Sequence, residues 1–153
     1  MHNKINMTEE KVTITLIKKL KKEGWKILSF DYPQSGTGKL IRPNLNEKNL
    51  GGFIPDIVSI KNGIVLFWEN KDHFVYEDFI KIRKIKESDN FVEPIRNFLN
   101  NVEYTSIYFG IAIPNVNNEI IKASEYFNDI DFFVTVDQED LHILYRSDNS
   151  IEI

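Results

Sequence analysis

The sequence predicts a mixed α/β fold, in which a β-sheet is flanked by helices, across residues 1–153. Three observations predict it. An apolar stripe of helical period opens the chain, two β-rich runs flank a tight-turn signal at Gly63, and helical and strand patterns then alternate to the C-terminus. The length suffices for one domain with a sizeable core, and no repeat or low-complexity segment divides it.

The first helix is predicted to start at Thr8, a good N-cap residue, and to stop at Gly24. Its core-facing stripe consists of Val12, Leu16 and Leu20. With about 100° between successive residues, Glu9 falls near the centre of this stripe and Glu10 toward its edge. An acid on a core-facing stripe requires a partner, although both glutamates also suit the positive end of the helix dipole.

A β-hairpin is predicted by two runs rich in β-branched and aromatic residues, Phe53–Ile60 and Ile64–Trp68. Residues 61–63 between them supply the positive φ that a tight hairpin needs. The other predicted strands are Trp25–Phe30, Ser106–Ile113, Phe132–Val136 and Leu141–Tyr145, and the other predicted helices are Tyr76–Lys86, Phe91–Asn101 and Asn117–Phe127. The resulting order is α-β-β-β-α-α-β-α-β-β.

The composition excludes several kinds of site and location. The chain has no cysteine, so disulfides and thiolate metal sites are excluded and a reducing cytoplasm is the expected compartment. No stretch approaches the roughly 20 apolar residues that cross a bilayer, so no membrane partner is expected. The polar segment Met1–Glu10 lacks the apolar core of a secretion signal.

The formal charge of −4 hides an asymmetry along the chain. Residues 1–102 hold 17 Lys and Arg against 13 Asp and Glu, a balance of +4, whereas residues 103–153 hold 2 against 10, a balance of −8. The mildly basic first part is compatible with a polyanionic partner. The acidic remainder is expected to face solvent or a basic protein, because a polyanion would repel it.

Three charged residues are predicted to converge at one end of the sheet. Hairpin counting places Asp56 near Glu69, and the two-residue period of a strand puts Glu69 and Lys71 on one face. This set suits phosphodiester hydrolysis, in which the acids hold Mg²⁺, the metal polarises the phosphate and acidifies its bound water, and the lysine orients that water. The alternative is a strand that merely ends in charged residues. If the stripe of the first helix faces the hairpin, Glu9 becomes an extra metal ligand, with Glu10 in reserve.

The order of these motifs resembles the PD-(D/E)xK restriction-endonuclease-like superfamily. The similarity covers roughly residues 8–113 and depends on the helix, the Gly-Trp strand, the Ser-Gly loop, Pro55-Asp56-Ile57 and Glu69-Asn70-Lys71. The stretch from Gln34-Ser35-Gly36 through Ile41-Arg42-Pro43 to Lys71 looks like the small nuclease subunits of heterodimeric type II restriction enzymes. Archaeal Holliday-junction resolvases share much of the same outline.

This resemblance implies a restriction-endonuclease-like mixed sheet with helices on its sides. It implies Mg²⁺ on Asp56, on Glu69 and on the main-chain carbonyl of Asn70, and it implies that Lys71 serves the attacking water. Mn²⁺ is expected to substitute for Mg²⁺. The net acidity departs from the pattern of a tight DNA binder and predicts weak DNA binding by the chain alone.

The segment Asp31–Gly52 is predicted to be a functional loop, because it is long, polar and rich in Gly and Pro. Contacts to the DNA backbone beside the metal site are predicted for Ser35, Thr37, Lys39 and Arg42, with a solvated loop as the alternative. The run from Gly36 to Lys39 lacks the spacing and the hydroxyl of a phosphate loop, so no nucleotide cofactor is expected.

Other charged groups carry weaker signals. His73 could be a second base but is interpreted as a surface residue, and His2 and His142 lack metal-ligand spacing. The basic run at 81–86 either contacts the phosphates of DNA or has its charged groups exposed to solvent.

Together these expectations describe an endonuclease that acts on double-stranded DNA and cuts one strand, as the catalytic small subunit of a restriction or nicking enzyme. A larger recognition subunit or a homodimer mate would make the second cut, because one site cuts one strand. Two alternatives stay open: a structure-selective nuclease similar to Holliday-junction resolvases, and a non-catalytic assembly module on the same fold.

Overall fold

Six β-strands and four α-helices are present in the computed structural model, which describes residues 7–44, 51–138 and 140–153. The helices are α1 (Glu9–Lys22), α2 (Tyr76–Glu87), α3 (Val92–Phe98) and α4 (Asn117–Ser124). The strands are β1 (Lys26–Phe30), β2 (Ile57–Lys61), β3 (Ile64–Asn70), β4 (Ser106–Pro114), β5 (Phe132–Val136) and β6 (Leu141–Arg146). The predicted order of helices and strands is confirmed.

The six strands form one mixed sheet whose spatial order follows the chain order. β1, β2 and β3 pair antiparallel, β4 pairs parallel with both β3 and β5, and β6 returns antiparallel to β5. Parallel neighbours need a crossover connection, which α2 and α3 supply before β4 and α4 supplies before β5. The predicted class, a mixed sheet flanked by helices, is therefore confirmed at this level.

Helices cover both faces of the sheet. On one face, the apolar stripe of α1 is fully buried against residues that include Trp68 of β3. On the other face, α2, α3 and α4 pack around a second cluster that includes Phe67 and Phe79. Because alternate residues of a strand point to opposite faces, Glu69 lies on the α2 side with Phe67, and Asn70 lies on the α1 side with Trp68.

β2 and β3 form the predicted hairpin. The turn residues Asn62 and Gly63 have φ values of 52° and 78°, the left-handed conformation that a type I′ turn requires at both positions. The register pairs Ile57 with Trp68. Asp56 therefore stands one step further along, opposite Glu69, as hairpin counting predicted.

Three element boundaries differ from the prediction by three residues or more. β2 begins at Ile57 and not at Phe53, because Phe53 pairs instead with Ile41 in an isolated bridge that closes the preceding loop. Two helices are shorter than predicted because turn and 3₁₀ hydrogen bonds replace the α-helical ones near their C-terminal ends. α3 ends at Phe98 instead of Asn101, and α4 ends at Ser124 instead of Phe127.

The acidic C-terminal part of the chain contacts the basic run of α2. Arg83 lies 3.5 Å from Oδ1 of Asp129, and Lys86 lies 2.6 Å from Oδ1 of Asp131. Some of the negative charge that was expected to face solvent or a partner is thus neutralised within the chain. None of the described helices is long and apolar enough to cross a membrane.

Candidate functional site

The open end of the hairpin holds Asp56 against β3. The main-chain N–H of Asp56 donates to the carbonyl of Trp68 (3.0 Å) and ties the residue before β2 to β3. The main-chain N–H of Asn70 donates in turn to Oδ2 of Asp56 (2.6 Å). Asp56 and Glu69 are only 7% and 8% exposed. This end of the sheet therefore carries two buried carboxylates on neighbouring strands.

Lys71 places its ammonium group among carboxylates. Its Nζ lies 3.7 Å from Oε1 of Glu69, 3.8 Å from Oε1 of Glu9 and 4.0 Å from Oδ2 of Asp78. The main-chain N–H of Lys71 donates to the carbonyl of Ala112 (3.1 Å), which anchors this segment to β4. Lys71 is therefore the shared counterion of acids that come from three different elements.

α1 brings Glu9, and not Glu10, to this end of the sheet. Glu9 is partly buried beside Lys71, whereas Glu10 is exposed. The side-chain Nδ2 of Asn70 donates to Oγ1 of the buried Thr13 (3.0 Å) and joins β3 to α1 one turn further on. The stripe of α1 faces the hairpin, which was the condition for Glu9 to join the site.

Two residues of α2 join the cluster: Asp78, which the sequence patterns did not single out, and Lys81, which they placed only in the basic run at 81–86. Asp78 is 7% exposed, and Nζ of Lys81 lies 3.1 Å from Oε1 of Glu69. Residues three apart share a face of a helix, so both side chains approach the sheet from above. Asp78 also precedes the buried Ile82 and Ile85 by four and seven residues, which is the spacing of a core-facing stripe. The periodicity argument made for Glu9 would therefore have found Asp78.

Crowding and burial shift the protonation of these groups. Burial, and next the charge of Glu69, raise the pKa of Asp56 to about 8, although the N–H of Asn70 lowers it. Burial and the charge of Glu69 also raise the pKa of Asp78 to about 6. Burial alone would lower the pKa of Lys71, but the surrounding carboxylates outweigh it and raise that pKa. The cluster thus holds more negative charge than its lysines compensate.

The donor set fits a divalent cation. Oδ2 of Asp78 is buried without a hydrogen-bond partner, and the carboxylates of Asp56 and Glu69 stand on adjacent strands. Within residues 7–44, 51–138 and 140–153, no three His, Asp or Glu side chains already form a complete metal-binding group. Mg²⁺ tolerates such a site, because it usually binds one or two carboxylates and takes its other ligands from water and substrate phosphate.

Asp56 and Glu69 are therefore the residues that would hold Mg²⁺. The carbonyl of Asn70 is the third ligand that the family resemblance implies, and its role stays a prediction. The side chain of Asn70 is committed elsewhere, because it points to α1 and bonds Thr13.

The loop after β1 begins beside the carboxylates, since the N–H of Asp31 donates to the carbonyl of Asp56 (2.8 Å). Two predicted DNA-contact residues use their hydroxyls inside this loop. Oγ1 of Thr37 donates to the carbonyl of Phe30 (2.7 Å), and Oγ of Ser35 donates to Oδ1 of Asp31 (3.1 Å). In this structure Ser35 and Thr37 shape the loop, and their contact with DNA stays a prediction.

The two predicted basic contacts lie in different places. Lys39 lines, together with Thr37, a cleft of about 540 Å³ between α1 and β1. Arg42 is exposed and lies beside Gly52, where the bridge of Ile41 with Phe53 holds the two ends of the loop together. The loop therefore offers its cations to two separate surfaces.

The histidines stand apart from this arrangement of acids and lysines. His73 is 58% exposed at its side chain and pairs with Asp72, which agrees with its interpretation as a surface residue. His142 pairs with Asp137 across the turn between β5 and β6 (3.3 Å). His2 lies outside the described residues.

Comparisons with models of protein families, with characterised proteins and with solved structures find no match to this chain. The function must therefore be argued from the residues and from their geometry. The cluster can bind a hard cation and can protonate or orient groups beside it, because it combines buried carboxylates with a partly exposed lysine.

Proposed function

We propose that the chain is a Mg²⁺-dependent DNA endonuclease of the restriction-endonuclease-like kind. The proposal depends on one observation, the 3.7 Å contact of Lys71 Nζ with Glu69 beside the buried Asp56 of the adjacent strand segment. Two acids and a lysine in this arrangement meet the chemical needs of phosphodiester hydrolysis. A purely structural role explains the arrangement less well, because four acids, Glu9, Asp56, Glu69 and Asp78, are grouped around only two lysines, Lys71 and Lys81.

The residues divide the work by their chemistry. Asp56 and Glu69 would hold Mg²⁺, which when bound polarises the phosphate and lowers the pKa of a coordinated water. Lys71 is protonated at neutral pH, because its neighbours raise its pKa, so it donates hydrogen bonds and orients the attacking water. Glu9 and Asp78 hold Lys71 in place from helices on opposite faces of the sheet.

We also propose that the chain cuts one strand and belongs to a larger restriction or nicking assembly. The two strands of a duplex run antiparallel, so cutting both requires a second site related by approximate two-fold symmetry or another catalytic subunit. Residues 1–102 carry a balance of only +4, which gives weak phosphate attraction at physiological salt. A recognition subunit or a second copy of the chain would supply the missing affinity.

The test is digestion of supercoiled plasmid by the purified chain with Mg²⁺, with Mn²⁺ and with EDTA. Wild type should produce metal-dependent nicks, and Lys71→Ala should reduce the rate at least about 100-fold. Lys122→Ala is the matched control, because Lys122 is an exposed lysine of α4 that pairs with Glu119. Equal activity of Lys71→Ala and wild type would defeat the proposal.

The same assay separates the two alternatives. A structure-selective resolvase would cut a synthetic four-way junction in preference to linear duplex of the same sequence. A non-catalytic assembly module would cut neither substrate with any divalent metal.

A further inference from the structure

The basic run of α2 divides according to the side of the helix. Ile82 and Ile85 are buried against the sheet. Arg83 and Lys86 turn toward the C-terminal part of the chain, where ion pairs with Asp129 and Asp131 hold them. The remaining cations, Lys81 and Lys84, line a cleft on the other side of the helix.

This cleft has a volume of about 340 Å³ and opens next to the carboxylate cluster. Lys81 belongs to both places, since it lines the cleft and its Nζ lies 3.1 Å from Glu69. Its side chain is 38% exposed, and it lines the cleft beside its ion pair with Glu69. Lys84 lines the same cleft and forms no ion pair with any residue in the described part of the chain.

Another part of the cleft wall comprises two glycines, a tyrosine and one acid, Glu77. The space at Gly51 is open, with no atom within 4 Å of the position that a Cβ would take, so another backbone can approach there. Tyr76 is 45% exposed and packs in a T-shaped contact with Tyr126. Arg42, exposed beside Gly52, adds a cation near this wall.

We propose that this cleft binds the phosphate backbone of the DNA strand that enters the site, with Lys81 and Lys84 as the phosphate contacts. The inference rests on the proposed function and names the path of its substrate. Lysines bind phosphates as point charges, and two of them one helical turn apart give a track that leads to Glu69. The path therefore runs along α2, and the predicted DNA contact of Lys39 belongs to a separate cleft between α1 and β1.

The test measures affinity for a fluorescent duplex as a function of salt, with Ca²⁺ replacing Mg²⁺ and with intact probe verified on a gel. The slope of log K against log salt is negative, and each lost phosphate contact on duplex DNA lowers its magnitude by about 0.9. The magnitude of the slope should fall by about 0.9 in Lys84→Ala relative to wild type, and Lys84→Arg should have the wild-type slope. Arg83→Ala is the control from the same helix, because an ion pair already holds Arg83 on the other side.

An unchanged slope for Lys84→Ala, or an equal loss for Arg83→Ala, would overturn the inference. The proposed function is judged separately by nicking of plasmid by wild type with Mg²⁺. If wild type nicks plasmid and Lys84→Ala keeps the wild-type salt slope, the proposed function stands and the proposed path is wrong. If wild type shows no salt-dependent affinity for DNA and also fails to nick plasmid, both the path and the proposed function are wrong.

Discussion

The main-chain N–H of Asn70 donates a 2.6 Å hydrogen bond to Oδ2 of Asp56. This bond ties the carboxylate at the start of one hairpin strand to the segment that carries Glu69 and Lys71. It also favours the ionised form of Asp56, against the burial and the neighbouring charge that raise its pKa to about 8. The position of the acid is thus fixed by the main chain, while its charge depends on what else enters the site.

The first prediction concerns the stability of the metal-free protein against pH. The pKa of Asp56 is about 8 in the folded state and ordinarily 3.8, so the folded protein keeps a proton that the unfolded chain releases. The stability from this proton is complete below about pH 4 and is lost as the pH rises to about 8. Asp56→Asn cannot ionise, so its melting temperature should exceed that of wild type more at pH 8 than at pH 5.

Thermal melts in EDTA across pH 5–8 measure this difference. Asp89→Asn, which changes an exposed carboxylate away from the site, should follow wild type at every pH. Added Mg²⁺ should stabilise wild type at pH 8 and leave Asp56→Asn nearly unchanged, since a ligand stabilises the state that binds it. A constant offset between Asp56→Asn and wild type at all pH values would contradict the assigned shift.

The second prediction separates metal binding from chemistry. Lys71→Ala removes the group that orients water but keeps both carboxylates, so Mn²⁺ affinity should be retained or increased while cleavage falls at least about 100-fold. Asp56→Ala should lose both metal binding and cleavage. Calorimetric titration with Mn²⁺ beside the plasmid assay decides between these outcomes, and equal loss of metal affinity in the two variants contradicts the division of roles.

The third prediction compares two adjacent glutamates of α1. Glu9 lies 3.8 Å from Nζ of Lys71, whereas Glu10 is exposed, although both sit in the first turn of the helix. Glu9→Gln should lower Mn²⁺ affinity or cleavage roughly tenfold, the size of effect typical of groups that support a metal site. Glu10→Gln changes the interaction with the helix dipole as much as Glu9→Gln does, and it should leave Mn²⁺ affinity and cleavage unchanged. Similar effects of the two variants would mean that the two glutamates act through the helix dipole, and that Glu9 has no specific role in the metal site.

The fourth prediction concerns the product of the reaction. One site cuts one strand in a single engagement, so the chain alone should convert supercoiled plasmid to open circles with little linear product. Raising the salt from 50 to 200 mM should suppress the reaction, because salt weakens the cation–phosphate contacts on which DNA binding by a chain of net charge −4 depends. Efficient, site-specific double-strand cleavage by the chain alone, on gels at both salt concentrations, would rule out a need for a partner.

The local patterns of the sequence determined the parts of the site that lie close together along the chain. Thr8 and Gly24 bracket α1, and the N–H of Lys11 donates to the capping hydroxyl of Thr8 (3.1 Å). The turn predicted at residues 61–63 fixed the hairpin register to within one residue and so placed Asp56 near Glu69. The structure pairs Lys61 with Ile64, which leaves Asn62 and Gly63 as the turn. Period and turn chemistry are properties of neighbouring residues, which a single sequence displays directly.

The tertiary structure alone decided which distant side chains complete the cluster. Asp78 and Lys81 reach Glu69 and Lys71 only because α2 packs across the sheet on that side, and this orientation depends on how buried side chains of several elements fit together. The same packing turns Arg83 and Lys84 of one basic run toward different surfaces. Sequence spacing fixes the face of a helix on which a residue lies, but only the packed core fixes what that face meets.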